Sequence, residues 1–147
     1  MWSKYWAGSQ PQRCRHGVYV AVRGYWATRV LAQIDDPRGW GRFGGVLLQS
    51  DSGIVAFVSL YAPTFSTSGA DVVWQKARIK EMGLTLDPWE LCRLDLRDVF
   101  HGLQSRGVVG IVAGDTNTTW NEETRKNEIG GATKRHMEEW HKSVRLM

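Results

Sequence analysis

Two oxygen-bearing side chains, those of Asp115 and Asn117, stand two residues apart directly after the apolar segment 108–113. Because side chains two residues apart in an extended chain point to the same side, one site could hold both. A carboxylate beside an amide suits a hard cation such as Mg²⁺, or a carboxylate that positions water while the amide donates to a phosphate oxygen. The structural alternative is a polar turn, since Asp and Asn are common after strands.

A second polar strand end lies upstream, in the segment LYAPT at residues 60–64. Here the Tyr61 hydroxyl could donate to a ligand, although an ordinary tyrosine at the end of a strand fits the pattern equally well. Arg42, in the segment GRFGGVLL, is either a contact for phosphate or a solvated charge in a turn.

Strands must position these side chains, and the first half of the chain predicts several of them. Val18, Val20 and Val22 alternate with more polar residues in segment 16–24, which is typical of a half-buried strand. An apolar stretch at 28–34 precedes a turn at 35–39, and further strands follow at 43–49 and 54–61. Segment 54–61 is apolar on both faces, so we expect both faces to be covered.

The second half predicts helices and one more strand. Residues 70–82 predict a short helix, and Asp87 predicts the cap of a second one, with Pro88 at its first position and apolar residues at helical spacing up to Leu103. Gly107 predicts its end, and the apolar segment 108–113 predicts a buried strand. From Thr133 onwards, the spacing of apolar residues predicts an amphipathic helix, its apolar positions being Met137, Trp140 and Val144.

Composition limits the class of protein. The chain has 147 residues, 42% of them hydrophobic and 23% charged, which predicts one globular domain rather than a disordered or fibrous protein. No segment has the apolar length of a membrane span or a signal peptide, so we expect an intracellular protein of the nucleus or cytoplasm that contacts no membrane.

Cys14 and Cys92 show no metal-ligand spacing. The formal net charge of +4 permits a polyanionic partner.

The chain resembles the endonuclease/exonuclease/phosphatase superfamily, including apurinic endonuclease-like domains of retroelements. The resemblance depends on four features: the two strand ends LYAPT and IVAGDTNTTW, the segment GRFGGVLL before them, and the capped helix between the strand ends. The resemblance covers about residues 16–147. It implies an α+β fold, a two-sheet β-sandwich flanked by helices in the order αββα. Where family members carry Gly-Asp-Phe-Asn, this chain has Thr116 in place of the phenylalanine.

The resemblance also implies roles for individual residues. Tyr61 would hydrogen-bond the scissile phosphate, Asp115 would orient or deprotonate water, and Asn117 would support the phosphate or a Mg²⁺ or Mn²⁺ ion together with Asp115. The implied reaction is metal-dependent hydrolysis of a phosphodiester, with nucleic acid as the partner. Substrate contacts would come from Arg42, Thr119 and Trp120, although Trp120 suits a core position equally well.

Two elements of the family pattern are missing. An early metal-binding glutamate has no counterpart, because residues 1–34 contain neither Asp nor Glu, and a Ser-Asp-His element has none either. His136 and His141 do not follow an aspartate, and four further acidic residues are expected to be solvated: Asp35, Asp36, Glu122 and Glu123. We therefore expect a truncated domain, an internal fragment with weak or no activity.

Two alternatives remain open. One is a catalytically silent module that binds nucleic acid through basic and tryptophan side chains. The positive net charge and the eight tryptophans favour this alternative. The other is a phosphoinositide or nucleotide phosphatase of the same fold, since motifs that recognise phosphate do not identify the leaving group.

Overall fold

The computed structural model describes residues 4–9, 17–64 and 69–117, which form a mixed α+β structure. Its elements, in chain order, are β1 Lys4–Ser9, β2 Val18–Arg23, a 3₁₀ turn Gly24–Arg29, β3 Val30–Asp35, β4 Phe43–Ser50, β5 Gly53–Tyr61, α1 Ala70–Glu81, α2 Pro88–Gln104 and β6 Val109–Asp115. Several expectations fall outside the described residues: those for Cys14, Thr119, Trp120, Glu122, Glu123, His136, His141 and the helix from Thr133. Within them, no helix is long and apolar enough to cross a membrane.

The strands form two sheets. One is four-stranded, in the order β3-β4-β5-β6, and the other pairs β1 with β2. Neighbours are antiparallel except for β5 and β6, which run parallel. A parallel pair needs a long crossover, and α1 and α2 supply it between β5 and β6. As a result, β5 and β6 end at the same edge of the sheet.

Helix α2 builds the main core, and its sequence signals are confirmed. An oxygen of the Asp87 side chain accepts the Glu90 backbone N–H at 2.8 Å, and Pro88 occupies the first turn. The predicted apolar stripe of the helix is buried, at Trp89, Cys92, Leu96 and Phe100. It joins one core cluster with β5 residues Ala56, Val58 and Leu60. Burial of the Cys92 thiol in this core raises its pKa to about 12.

The alternation predicted for residues 16–24 is also confirmed. In β2, Val18 and Val22 are buried and Val20 is half-buried, whereas the intervening residues are exposed: Tyr19, Ala21 and Arg23. Val22 belongs to a second core cluster with Val46 and Leu48 of β4. The β1–β2 pair therefore packs against the four-stranded sheet through this cluster.

Among the described residues, the expected burial of β6 is wrong, and the expected cover of both faces of β5 is only partial, because the β1–β2 pair packs on the second face but leaves Phe57 exposed. Helix α2 covers only the face that carries Ala56. On the other face, Phe57 is 39% exposed, and in β6 Val109 and Ile111 are 61% and 44% exposed. An apolar run shows that a segment can be buried, but the elements packed around it decide which face is covered.

Close approach of β4 and β5 requires glycine at position 45. Gly45 pairs with Val58, and a Cβ atom there would overlap the backbone carbonyl of Phe57. Because this neighbour is backbone, no side-chain rotation can relieve the overlap. We expect Gly45→Ala to lower the free energy of unfolding in urea by about 3 kcal/mol or more.

Gly102 is the control for this substitution. It lies inside α2, and nothing within 4 Å would meet an added Cβ. Gly102→Ala should therefore stabilise the protein by about 0.5–1 kcal/mol, because alanine favours the helix. Equal unfolding midpoints for the two variants would contradict the close approach of β4 and β5.

Candidate active site at the ends of strands β5 and β6

Tyr61 and Asp115 are direct partners across the parallel β5–β6 pair, each the last residue of its strand. Residues that face each other in register project to the same side of a sheet. Both are exposed, Tyr61 by 46%. The structure thus brings the two residues together, and a ligand at the sheet edge could touch both.

Asn117 joins this pair through a turn rather than through an extended chain. Its φ of 50° is left-handed, which asparagine tolerates better than most residues, so the expected extended conformation is wrong at this position. Its backbone N–H donates to Asp115 Oδ1 at 2.8 Å, and its side-chain Nδ2 donates to the Ala62 carbonyl. Asn117 therefore ties the end of β6 to the residue that follows β5.

Further backbone contacts fix the same edge. The Ala62 N–H donates to the Asp115 carbonyl at 2.8 Å, which extends the pairing past the end of β5. The indole Nε1 of Trp89 in α2 donates to the Thr116 carbonyl at 3.3 Å. The turn that carries Asn117 is thus held both by the neighbouring strand end and by the core helix.

Arg42 and Asp36 form a buried ion pair, so the expectation that Asp36 is solvated is wrong, as is the alternative that Arg42 is a solvated charge in a turn. They are 2% and 3% exposed. The guanidinium of Arg42 donates through Nε and Nη2 to the two carboxylate oxygens of Asp36, at 2.8 and 2.6 Å. A second carboxylate, that of Asp95 in α2, accepts from Nη2 at 2.7 Å. Paired charges with several hydrogen bonds can remain ionised in a protein interior, which an isolated charge cannot.

Arg38 completes this cluster, which we call the Arg42 cluster: Asp36, Arg38, Arg42 and Asp95. Arg38 donates to the two oxygens of Asp95 from Nε at 2.5 Å and from Nη2 at 2.9 Å. The cluster contains two guanidinium groups and two carboxylates, so its formal charges balance. It links the turn at residues 35–39, the beginning of β4 and helix α2.

The cluster shifts the ionisation of its members. Burial alone would raise the pKa of Asp36, but hydrogen bonds and the positive charge of Arg42 outweigh burial and hold this pKa below its ordinary value. Burial alone would lower the pKa of Arg42, but its carboxylate partners raise it. Both groups are therefore charged near neutral pH.

A backbone hydrogen bond connects the Arg42 cluster to the candidate site. The Tyr61 N–H donates to the Arg42 carbonyl at 2.8 Å. Tyr61 and Arg42 also border a common cleft of about 80 Å³. Arg42 thus contributes to the position of Tyr61, and its role as a phosphate contact stays a prediction.

Sequence reasoning missed Asp95, although a signal was present. Asp95 stands one residue before Leu96 and three after Cys92, inside the apolar stripe of α2. A carboxylate at such a position predicts a buried cationic partner. The partner itself could not be identified, since Arg38 and Arg42 are more than fifty residues away in the sequence.

The donors available for a metal ion at the site are few. Among the described residues, no group of three or more His, Cys, Asp or Glu side chains lies close enough together to hold an ion. At the strand ends the oxygen donors are the Asp115 carboxylate and the Asn117 carbonyl. Thr119 and Trp120, expected to line the substrate groove, lie outside the described residues.

The chain was compared with family models, with curated proteins and with solved structures. No match was found in any of the three. The function must therefore be argued from the geometry of the site.

Removing the Asp36 carboxylate should strongly destabilise the protein. Asp36→Asn leaves the buried Arg42 with one carboxylate fewer, and breaking a buried pair costs about 3–5 kcal/mol. Asp51→Asn is the control, because Asp51 pairs with Arg29 at 2.7 Å but its side chain is 90% exposed. That pair should contribute less than about 1 kcal/mol. If both substitutions lowered the free energy of unfolding in urea by similar amounts, the result would contradict a buried ionic cluster.

The stabilisation from Asp36 should depend on pH. Since the folded state lowers the pKa of Asp36, its contribution is present above the unfolded pKa, about 3.9, and is lost as the pH falls through the lower folded pKa. The difference in unfolding free energy between wild type and Asp36→Asn should be constant above about pH 5 and shrink below about pH 4. A difference that grows on acidification would contradict this assignment.

Proposed function

We propose that this chain is a metal-dependent phosphodiester hydrolase of the nuclease type, acting through Tyr61, Asp115 and Asn117. The observation that carries the proposal is the juxtaposition of Tyr61 and Asp115, which are exposed register partners at the ends of parallel strands. Carboxyl ends of parallel strands are a common place for ligand sites in mixed α and β proteins. This geometry supports the pairing that the two motifs imply.

The proposed fold is the two-sheet β-sandwich of the endonuclease/exonuclease/phosphatase superfamily. In its support, the β1–β2 pair packs against the four-stranded sheet through the cluster of Val22, Val46 and Leu48. Helices α1 and α2 lie in the crossover between β5 and β6, and α2 covers the opposite face of the sheet. The stacking of helix, four-stranded sheet and strand pair supports the proposed αββα order, of which it supplies three layers.

Each residue has a distinct task in the proposed reaction. The Tyr61 hydroxyl donates to a non-bridging phosphate oxygen, where negative charge develops during attack by water. Asp115 has one oxygen engaged with the Asn117 N–H, so its second oxygen, Oδ2, orients the water and takes its proton. Exposure of both groups lets an extended substrate reach them.

Asn117 is oriented for a cation rather than for phosphate. Its Nδ2 group donates to the Ala62 carbonyl, so the carbonyl oxygen Oδ1 is the atom that remains for a ligand. One carboxylate and one amide oxygen suit Mg²⁺ or Mn²⁺, which take their other ligands from water and phosphate. When bound, such an ion supplies positive charge that stabilises the phosphate in the transition state. Asn117 would hold it together with Asp115 Oδ1, which can accept a second partner beside the Asn117 N–H, so that Oδ2 stays available as the base.

Substitution of Asp115 tests the proposal. With Mg²⁺ or Mn²⁺ present, wild type should cleave a labelled oligonucleotide, Asp115→Asn should lower the rate by about 100-fold or more, and Tyr61→Phe by about 10-fold. Asp98→Asn is the matched control, because Asp98 is exposed on α2 and bonds Arg97. It should retain the wild-type rate.

Contaminating nucleases are excluded by comparing variants purified in parallel. Wild-type cleavage that Asp115→Asn leaves intact, or no cleavage of single- or double-stranded DNA or RNA with either metal, would contradict the proposed function.

A further inference from the structure

A cleft of about 80 Å³ lies beside Tyr61, between the beginning of β4, the end of β5 and helix α1. It is bordered by apolar and polar side chains, among them Trp40, Arg42, Tyr61, Pro63, Val72 and Gln75. Tyr61 belongs both to this cleft and to the candidate active site. A molecule held in the cleft is therefore next to the proposed reaction centre.

Two buried polar atoms of the cleft residues have no hydrogen-bond partner within the described part of the chain. They are Nη1 of Arg42, a donor, and Oε1 of Gln75, an acceptor. Arg42 is 2% exposed and Gln75 is 7% exposed. Buried polar atoms are nearly always paired, because an unpaired one costs free energy. A ligand in the cleft that carries both an acceptor and a donor would offer each atom a partner.

The charge around the cleft disfavours an anion. The edge of the Arg42 guanidinium formed by Nε and Nη2 is occupied by Asp36, and Nη2 also bonds Asp95, so its charge is compensated. Asp71 adds another carboxylate to the lining. A phosphate would gain little from Arg42, because two carboxylates already compensate its charge. A neutral group that forms hydrogen bonds fits this balance better.

Flat apolar surfaces border the same space. The Trp40 ring lies 4.9 Å from the Arg42 guanidinium carbon and meets Trp74 edge to face, with ring centroids 5.5 Å apart. Pro63 and Val72 supply further apolar surface. Planar heterocycles stack favourably on such surfaces.

We propose that this cleft binds a nucleobase of a nucleic-acid strand, with Gln75 and Arg42 hydrogen-bonding its edge. Every nucleobase carries both an acceptor and a donor on its Watson–Crick edge, so one base can offer a partner to each of the two atoms. The proposal rests on the proposed function and names its substrate class: a nucleic acid rather than a phosphoinositide, whose head group is polyanionic and lacks a planar base. Gln75 acts here in binding and not in the chemical step.

Binding without metal tests the proposal independently of hydrolysis. The affinity of a fluorescent single-stranded oligonucleotide is measured by anisotropy in EDTA, and compared with an oligonucleotide of the same length that carries abasic sites throughout. Wild type should bind the base-containing strand about 10-fold more tightly, since loss of the base leaves Gln75 and Arg42 unpaired. This ligand series needs no variant of the protein.

Gln75→Leu then locates the effect in the cleft. Leucine has a similar size and removes the buried acceptor, so the variant should fold, as checked by thermal unfolding. It should bind the base-containing strand about 10-fold more weakly and the abasic strand equally well. Gln104→Leu, at the exposed end of α2, is the control and should bind like wild type.

The outcomes separate this inference from the proposed function. Three results would each overturn the proposed nucleobase binding. They are equal affinity for the two strands, no binding of either strand, and a folded Gln75→Leu variant that prefers the base-containing strand as strongly as wild type does. Competition by inositol hexakisphosphate that Gln75→Leu abolishes would overturn it as well, in favour of an anion. Base-dependent binding without any hydrolysis would uphold the cleft while the proposed activity fails.

Discussion

The buried pairing of Arg42 with Asp36 and Asp95 is the constraint on which the candidate site depends. Neither the guanidinium nor the carboxylates can be buried alone, so the turn at residues 35–39, the beginning of β4 and helix α2 must come together in one arrangement. The Arg42 backbone then accepts a hydrogen bond from Tyr61, so the same arrangement fixes the end of β5. The ion pairs of Arg42 in the core thus help to fix the position of Tyr61 at the surface.

Tyr61 lies between two environments with different chemistry. On one side of Tyr61 lie Asp115 and Asn117, which offer oxygen atoms to a cation and to water. On the other side lies a cleft whose arginine is already neutralised by carboxylates. A phosphodiester substrate has the same division between a charged backbone and neutral bases. This division is the reason for proposing a nucleotide chain, and not an isolated phosphate, as the substrate.

Local patterns of the sequence predicted the elements well, and long-range contacts could not be predicted. The alternation in β2 and the capping of α2 by Asp87 depend on neighbours within a few residues, and both are confirmed. Phe57 was expected to be covered and Asp36 to be solvated, and both expectations are wrong. The exposure of each residue depends on which distant element packs against it. The motifs at the strand ends predicted Tyr61 and Asp115 side by side. Gln75 was not singled out, because a glutamine in a helix carries no pattern of its own.

The parallel pairing of β5 with β6 has a consequence for how the protein folds. Tyr61 and Asp115 are separated in the sequence by both helices, so their strands can align only after the intervening chain has closed a long loop. Contacts between distant segments form slowly, because the entropy of loop closure is lost before the contacts compensate for it. Local elements such as α2 can form early, whereas the edge that carries the candidate site is among the last parts to assemble. During synthesis on the ribosome, the pairing of Tyr61 with Asp115 cannot form until β6 has emerged.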